Sequence, residues 1–307
     1  MNTLAEYAEV VPLWITIAAI AVVGLEWLAL TLTGRVERHR EGWVNILCGA
    51  ASFLPVFALS MVVTLTLMFA LYSVRIFDLG LDLYVWVLAY IAYDLMSFLV
   101  HLASHKVRLL WCMHSVHHAP EEMKASVSFR GSLADWLVTP HTTLWLPLFG
   151  FHPLLVVLVE GVGLIYGVFL HLSDAYMPAR EPSWLQRVLI TPAFHRLHHA
   201  KNPIYLDTNY GLTFSLWDVI FRTRQVPVSS EQPAYGLTVQ HDASKFGETQ
   251  LAEFKSLWRD VRSTPRLGDK LGFLLRPPGW HPLGLGQTAR HIREEALRAA
   301  DAGAGAP

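Results

Sequence analysis

With 307 residues, 53% of them hydrophobic and only 16% charged, the chain falls well short of the roughly 25% charged residues usual in soluble domains. Its formal net charge of −1 lacks the basic excess of a nucleic-acid binder, so no nucleic-acid partner is expected. Two cysteines, Cys48 and Cys112, are too few for a disulfide framework or a cysteine zinc site, which leaves any metal chemistry to His, Asp and Glu.

The chain divides by hydropathy. A first apolar run covers about 10–32, long enough at about 1.5 Å per helical residue to cross a bilayer. It is too long for a signal-peptide core and has neither a basic leader nor a small-residue cleavage site, so it is expected to be a retained span. Further runs at about 45–73 and 81–100 complete three expected transmembrane helices within 1–100. A polar, histidine-rich stretch follows at 101–135. The next apolar stretch, 136–170, is too long for one ordinary span, and Phe149-Gly150-Phe151-His152-Pro153 breaks it with good turn residues. It is expected to be a membrane hairpin of two short helices. The remainder, 171–307, is expected to be a cap that completes the site, with the segment 275–282 and its Trp280 on the membrane surface and the final "DAGAGAP" disordered.

Charge sets the expected orientation. Arg35, Arg38 and Arg40 follow the first span, while no Lys or Arg precedes it, so the N-terminus should face out and 33–44 the cytoplasm. The third span then returns the chain to the cytoplasm at His101, in keeping with Lys106, Arg108, Lys124 and Arg130. A hairpin at 136–170 keeps Arg180, Arg187, Arg196 and Lys201 on that same side. The expected architecture is therefore all-α: a multi-pass helical bundle carrying a cytoplasmic, histidine-rich helical cap.

Three histidine groups stand at helical spacing: His101 and His105, H-S-V-H-H at 114–118, and H-R-L-H-H at 195–199. Positions i, i+3 and i+4 share a helix face, so His114, His117 and His118 should point one way, as should His195, His198 and His199. Unpaired imidazoles beside a membrane are costly, and eight so arranged predict metal ligands. A single ion is satisfied by four to six donors, so eight imply two ions close together. Imidazole suits several metals, but catalytic zinc needs only three protein ligands. Two ions held by histidines alone fit dioxygen activation by iron best. Asp94 lies two turns before His101 on the same stripe; it either accepts the free N–H of a ligand histidine or pairs with some other buried donor. His39, His241, His281 and His291 read as ordinary histidines, and His141 and His152 as packing residues of the hairpin.

The same residues carry a resemblance. H-L-A-S-H (101–105), the two H-x-x-H-H motifs, the lead-in T-P-A-F, and T-N-Y-G (208–211) with W-D-V-I-F (217–221) resemble the fatty acid hydroxylase/sterol desaturase superfamily of integral-membrane diiron enzymes. L-W-C-M-H-S-V-H-H-A-P-E-E, S-F-R-G-S (128–132) and His171 make the chain most similar to the alkylglycerol monooxygenase-like branch. The resemblance covers roughly 94–223 and implies that His171 is a further ligand. It also departs from the family pattern. Leu102 stands where Arg is common, Gly131–Asp135 replaces an H-P-x-E element, Lys124 replaces an Asn, and Arg222 replaces the Gly of F-G-T. None falls on an expected ligand; Gly131, Lys124 and Arg222 are expected around the substrate mouth.

The resemblance thus implies a membrane-bound oxygenase that binds two Fe2+ ions and uses O2 to hydroxylate a fatty acyl, alkyl ether or related membrane lipid. Asn209, Tyr210, Trp217 and Asp218 are expected in the cap beside the centre, with Asn209 and Asp218, like Asp94, as partners behind the ligands. No catalytic residue beyond the metal centre is assigned. No dinucleotide fingerprint, haem-attachment motif or iron–sulfur cysteine set is present, so electrons are expected from an external donor, a small electron-transfer protein or a reduced pterin. Desaturation at the same centre is the alternative outcome. A non-enzymatic metal-binding membrane protein would instead place its histidines along the spans.

Overall fold

The computed structural model describes residues 2–177, 183–228 and 231–304. Arg180 and the last three residues of the tail lie outside these. Among the described residues regular structure is entirely helical, with two isolated bridges, Leu189 to Phe214 and Ala200 to Tyr235.

Among the described residues three helices are long and apolar enough to cross a membrane: Leu4–Leu32, which is nearly all of α1 (Asn2–Leu32), α4 (Leu83–Lys106) and α6 (Pro153–Leu170). The run at 45–73 is helical throughout, but as α2 (His39–Leu59), a π turn at Ser60–Thr64 and α3 (Leu65–Ser73). Pro55 lies inside α2. A proline has no N–H and its ring crowds the preceding turn, and a widened turn relieves such a defect.

The hairpin at 136–170 also differs from a pair of helices. Its first arm is a string of 3-10 turns at Asp135–Leu137, Thr139–Thr142 and Leu146–Phe149. Pro140 and Pro147 each remove a donor that an α-helix would need. The arm is tied by the Leu148 carbonyl to the Ile76 N–H, in the loop between α3 and α4. There Gly150 turns the chain at φ 101°, a conformation natural to glycine. His152 then caps α6 by accepting from Leu154 N–H, and Pro153 occupies its first turn.

α6 is the centre of the membrane bundle: half of its span is buried, against 22% for α1 and 28% for α4. A side chain at Gly161 would strike Ile15 of α1, and one at Gly163 would strike Tyr93 of α4. Small residues at those crossings let the three helices approach. The outward faces of α1 and α4 remain apolar, with Trp14, Leu25, Leu83 and Val87 more than half exposed.

Beyond α4, Val107 adopts an extended conformation and starts α5 (Arg108–His118). α7 (Ser183–Val188), α8 (Pro192–His198), α9 (Leu216–Ile220), α10 (Phe246–Ser263), α11 (Leu267–Leu275) and α12 (Ala289–Ala304) follow α6. α10 and α11 cover α5 through Cys112, Leu257 and Phe273. Trp280 is half buried in this cluster, its ring 5.5 Å from that of Phe273, so it serves cap packing and is not a free surface aromatic. α12 carries the start of the tail as helix as far as Ala304.

Candidate metal centre

Four elements deliver the histidines. The last turns of α4 carry His101 and His105; α5 carries His114, His117 and His118; His171 ends α6. α8 begins at Pro192, and the Thr191 side chain accepts from Phe194 N–H to cap it. The T-P-A-F lead-in is therefore a helix start that sets the phase of His195, His198 and His199.

All nine histidines of the sequence reading meet here, in two groups. One comprises His101, His105, His114, His118 and His198; the other comprises His117, His171, His195 and His199. Within each group one ring nitrogen per residue lies within 4.8 Å of every other. The motifs do not correspond to the groups. His114 and His118, at i and i+4, join the first while His117 crosses to the second. His195 and His199, again i and i+4, join the second while His198 crosses to the first. Each H-x-x-H-H motif thus gives a pair to one site and its middle histidine to the other.

The nitrogens are arranged for a cation. His118 Nε2 lies 3.2 Å from His105 Nε2, 3.1 Å from His114 Nε2 and 3.1 Å from His198 Nε2. One ring nitrogen carries one proton or one lone pair, so it cannot hydrogen-bond to all three. His198 Nδ1 donates to the Thr208 carbonyl at 2.7 Å and His101 Nδ1 to the Tyr210 carbonyl at 2.8 Å. Since a carbonyl only accepts, Nε2 of both rings is a bare lone pair. His101 Nε2 is buried with no hydrogen-bond partner. In the second group His171 Nε2 lies 3.1 Å from His117 Nε2 and 3.0 Å from His195 Nε2, while His199 Nε2 lies 3.1 Å from His195 Nε2. With metal–nitrogen bonds of about 2.1 Å, ligands at right angles stand about 3.0 Å apart. The spacing fits two imidazole-ligated ions.

Burial holds these rings neutral. His114, His117, His118, His195, His198 and His199 are all driven well below the ordinary histidine range, first by burial and then chiefly by mutual repulsion. His171 is pushed down to about 4 by burial, which outweighs its hydrogen bond to the Gly167 carbonyl. Neutral imidazole is the form that binds metal.

Of the two roles open to Asp94, the structure shows the pairing with other buried donors, and Asn209 and Asp218 stand behind the ligands at one remove. Asp94 touches no histidine; it accepts from Thr213 N–H, Phe214 N–H and Trp217 Nε1. A carboxylate inside a span is satisfied there by whichever donors the neighbouring loop brings, and the 213–217 loop brings three. Asp218 accepts from Tyr210 N–H, Gly211 N–H and the Thr223 hydroxyl. Asn209 bonds Gln225 and the Phe194 carbonyl. All three residues pin the 208–217 loop, whose carbonyls orient His198 and His101, and none contacts a ring directly. Tyr210 packs against His101, His105 and His198.

The residue missed from sequence is Asp207. Its carboxylate accepts from His105 Nδ1 at 3.3 Å and pairs with Lys106. It stands one position ahead of T-N-Y-G, and both Asp207 (φ 58°) and Asn209 (φ 56°) are left-handed, which Asp and Asn tolerate better than most residues. An acid beside a motif whose backbone must kink is a signal that helical spacing alone does not weigh.

A cavity of about 480 Å3 opens onto the centre, touching His105, His118, His198 and His199. Asp207, Arg108, Trp111, Glu253 and Pro277–Gly279 form part of its wall. Gly131, Lys124 and Arg222, expected at a substrate mouth, do not line it. Lys124 is buried and bonds the Arg38 carbonyl and Glu122, while the neighbourhood of Gly131 is filled by Asp135 and Ser52. Lys124 and Gly131 are thus taken up by packing, while Arg222 is exposed, at a left-handed φ of 58°. The remaining six histidines lie outside both groups; His152 caps α6, and His141 stacks on Trp145.

Residues 86–223 match the family model for fatty acid hydroxylases. An alkylglycerol monooxygenase of Xenopus tropicalis is 26% identical over 299 residues, covering 94% of this chain and 64% of that protein. The Homo sapiens alkylglycerol monooxygenase is 25% identical over 268 residues, covering 84% of this chain and 57% of its own. The Caenorhabditis elegans one is 29% identical over 224 residues, covering 68% and 42%. The chain therefore spans between 42% and 64% of the length of these relatives. No solved structure matches.

Proposed function

We propose that the chain is a member of the fatty acid hydroxylase superfamily, on its alkylglycerol monooxygenase-like branch, and that it is a membrane-bound diiron oxygenase that hydroxylates a membrane lipid. The observation that carries this reading is the pair of histidine groups, five and four, converging on bare nitrogen lone pairs beneath one cavity. Iron bound there would supply, with O2 and electrons from an external donor, the oxidant that breaks an unactivated C–H bond.

The chain's own part is to hold and to exclude. The nine imidazoles present Nε2 lone pairs, and the Tyr210, Thr208 and Gly167 carbonyls and the Asp207 carboxylate fix the tautomers of His101, His198, His171 and His105. The cavity admits the reacting carbon beside both groups, and its apolar wall around Trp111, Leu237 and Pro277 limits water. The charge pattern after α1 supports placing the centre on the cytoplasmic side of a multi-pass protein, with electrons delivered from that side.

Purified protein made with iron available should contain about two irons per chain, one for each histidine group. Incubated with labelled dioxygen, a reductant and native lipid extract, it should release a lipid carrying one labelled oxygen atom. Hydroxylation beside an ether oxygen would show further, as cleavage to an aldehyde and a free alcohol. Label found only in water, with a new double bond in the lipid, would replace hydroxylation by desaturation. Protein holding only tight zinc and inactive with iron would end the oxygenase reading.

A further inference from the structure

α11 is amphipathic the wrong way round for a helix in water. Its buried side is Gly272 and Phe273, packed on Trp280 and α5. The side it turns outward is leucine: Leu267 is 71% exposed, Leu271 47% and Leu275 59%, and their i, i+4, i+8 spacing makes one stripe. Its one carboxylate, Asp269, is drawn to the Thr264 hydroxyl. The charges nearest the stripe are cations: Arg266 just before the helix, Lys270 within it and Arg276 just after.

The position of this helix decides what covers the stripe. The Arg276 carbonyl, at the end of α11, accepts from Arg108 N–H at 3.1 Å. Arg108 lies two residues beyond the end of α4, where that candidate span leaves the apolar layer. α11 is thereby fastened at the depth where lipid headgroups meet hydrocarbon. We infer that α11 is an interfacial helix, its leucine stripe sunk into the bilayer surface and its flanking cations set against anionic lipid headgroups. Pro277, Pro278 and Gly279, which follow it directly, form part of the cavity wall. α11 therefore places one wall of the cavity over the centre at headgroup level, where a lipid could leave the bilayer. This inference rests on the reading of α4 as a span.

Spin labels on single cysteines in the full chain, reconstituted in nanodiscs with and without anionic lipid, test it. The native thiols Cys48 and Cys112 are both buried and leave little background. Leu271→Cys and Leu275→Cys report on the stripe. Val87→Cys on the exposed face of α4 serves as the lipid reference, and Arg290→Cys, whose side chain is 80% exposed, as the water reference. At 271 and 275, collisions with dissolved oxygen should exceed those with a water-soluble nickel chelate, as at 87 and opposite to 290. The label at 271 should lie deeper with anionic lipid, and Arg266→Gln with Lys270→Gln should abolish that difference. Nickel access at 271 and 275 equal to that at 290, with 87 still shielded, overturns the inference alone. Nickel access at 87 overturns the span, and the inference with it. Spin–spin broadening between labels at 271 would mean that a second copy of the chain covers the stripe, and also overturns it.

Discussion

The two histidine groups share the same two H-x-x-H-H motifs yet are held by different parts of the molecule. The group of five leans on a loop: His101, His105 and His198 direct Nδ1 at Tyr210, Asp207 and Thr208. That loop is fixed in turn by Asp94, Asn209 and Asp218. The group of four leans on helix and core. His171 donates to the Gly167 carbonyl of its own helix, His117 bonds the Arg130 backbone, and His195 Nδ1 has no hydrogen-bond partner. Two sites of similar chemistry should therefore fail separately, through different residues, except where the motifs cross.

The crossing histidines should give the largest effect. His117→Ala removes a ligand from the group of four and His198→Ala one from the group of five. Loss of a partner behind a ligand typically costs 10–100-fold, so loss of the ligand itself should lower activity by more than about 100-fold. Iron content should fall from about two per chain toward one. Metal analysis combined with Mössbauer spectroscopy should show a different iron surviving in each variant. If both variants lost the same iron, the exchange between motifs would be refuted.

Acid comes next, and its sign follows from burial. An exposed histidine takes a proton near pH 6.5, whereas the buried rings resist it, His171 until about 4. The folded-state values are depressed, so the stabilisation they carry is complete above the ordinary histidine range and is lost as pH falls toward the folded values. Iron should remain bound at pH 5.5, where a set of exposed histidines would release it, and leave as pH approaches 4. Iron retention after desalting across that window measures it; release centred on pH 6.5 would contradict the burial of the centre.

Helical spacing made eight of the nine histidines legible, because a 3.6-residue period fixes which residues share a face, while His171 was legible only through the family resemblance. It did not reveal that His117 and His198 leave their neighbours. Neighbouring donors on one face can serve two centres when those centres lie on either side of the face. Hydropathy alone predicts helix for the 136–149 arm, because it does not register that Pro140 and Pro147 withhold donors. Asp94 sits on the histidine stripe by spacing, yet the 213–217 loop, distant in sequence, claims it. Asp207 was hidden for the same reason: its partner His105 is 102 positions away.

Arg130 sharpens the comparison from the helix side. Its buried guanidinium donates to the Val116 and Ala243 carbonyls, Asn45 Oδ1 and the Thr249 hydroxyl, tying α5 to α2 and α10. Arg130→Met would leave those buried acceptors unpaired, at a cost on the order of 3 kcal/mol. The detergent-solubilised protein should melt several degrees lower, and iron in the group of four, which includes His117, should be the first lost on mild chelation.

Asp207 tests the loop side and should give the smallest change. Asp207→Asn keeps an oxygen for His105 Nδ1 but removes the charge that makes the imidazole a stronger donor to metal, so affinity at the group of five should fall about tenfold. Asp207→Ala removes the acceptor as well and should approach 100-fold. Asp94→Asn, two contacts removed from any ligand, should cost less than either. Iron titration of the stripped protein separates these outcomes: Asp207 variants should weaken one of two binding steps and leave the other unchanged. Equal weakening of both steps would mean that the two groups share their support, and the contrast between loop and core would disappear.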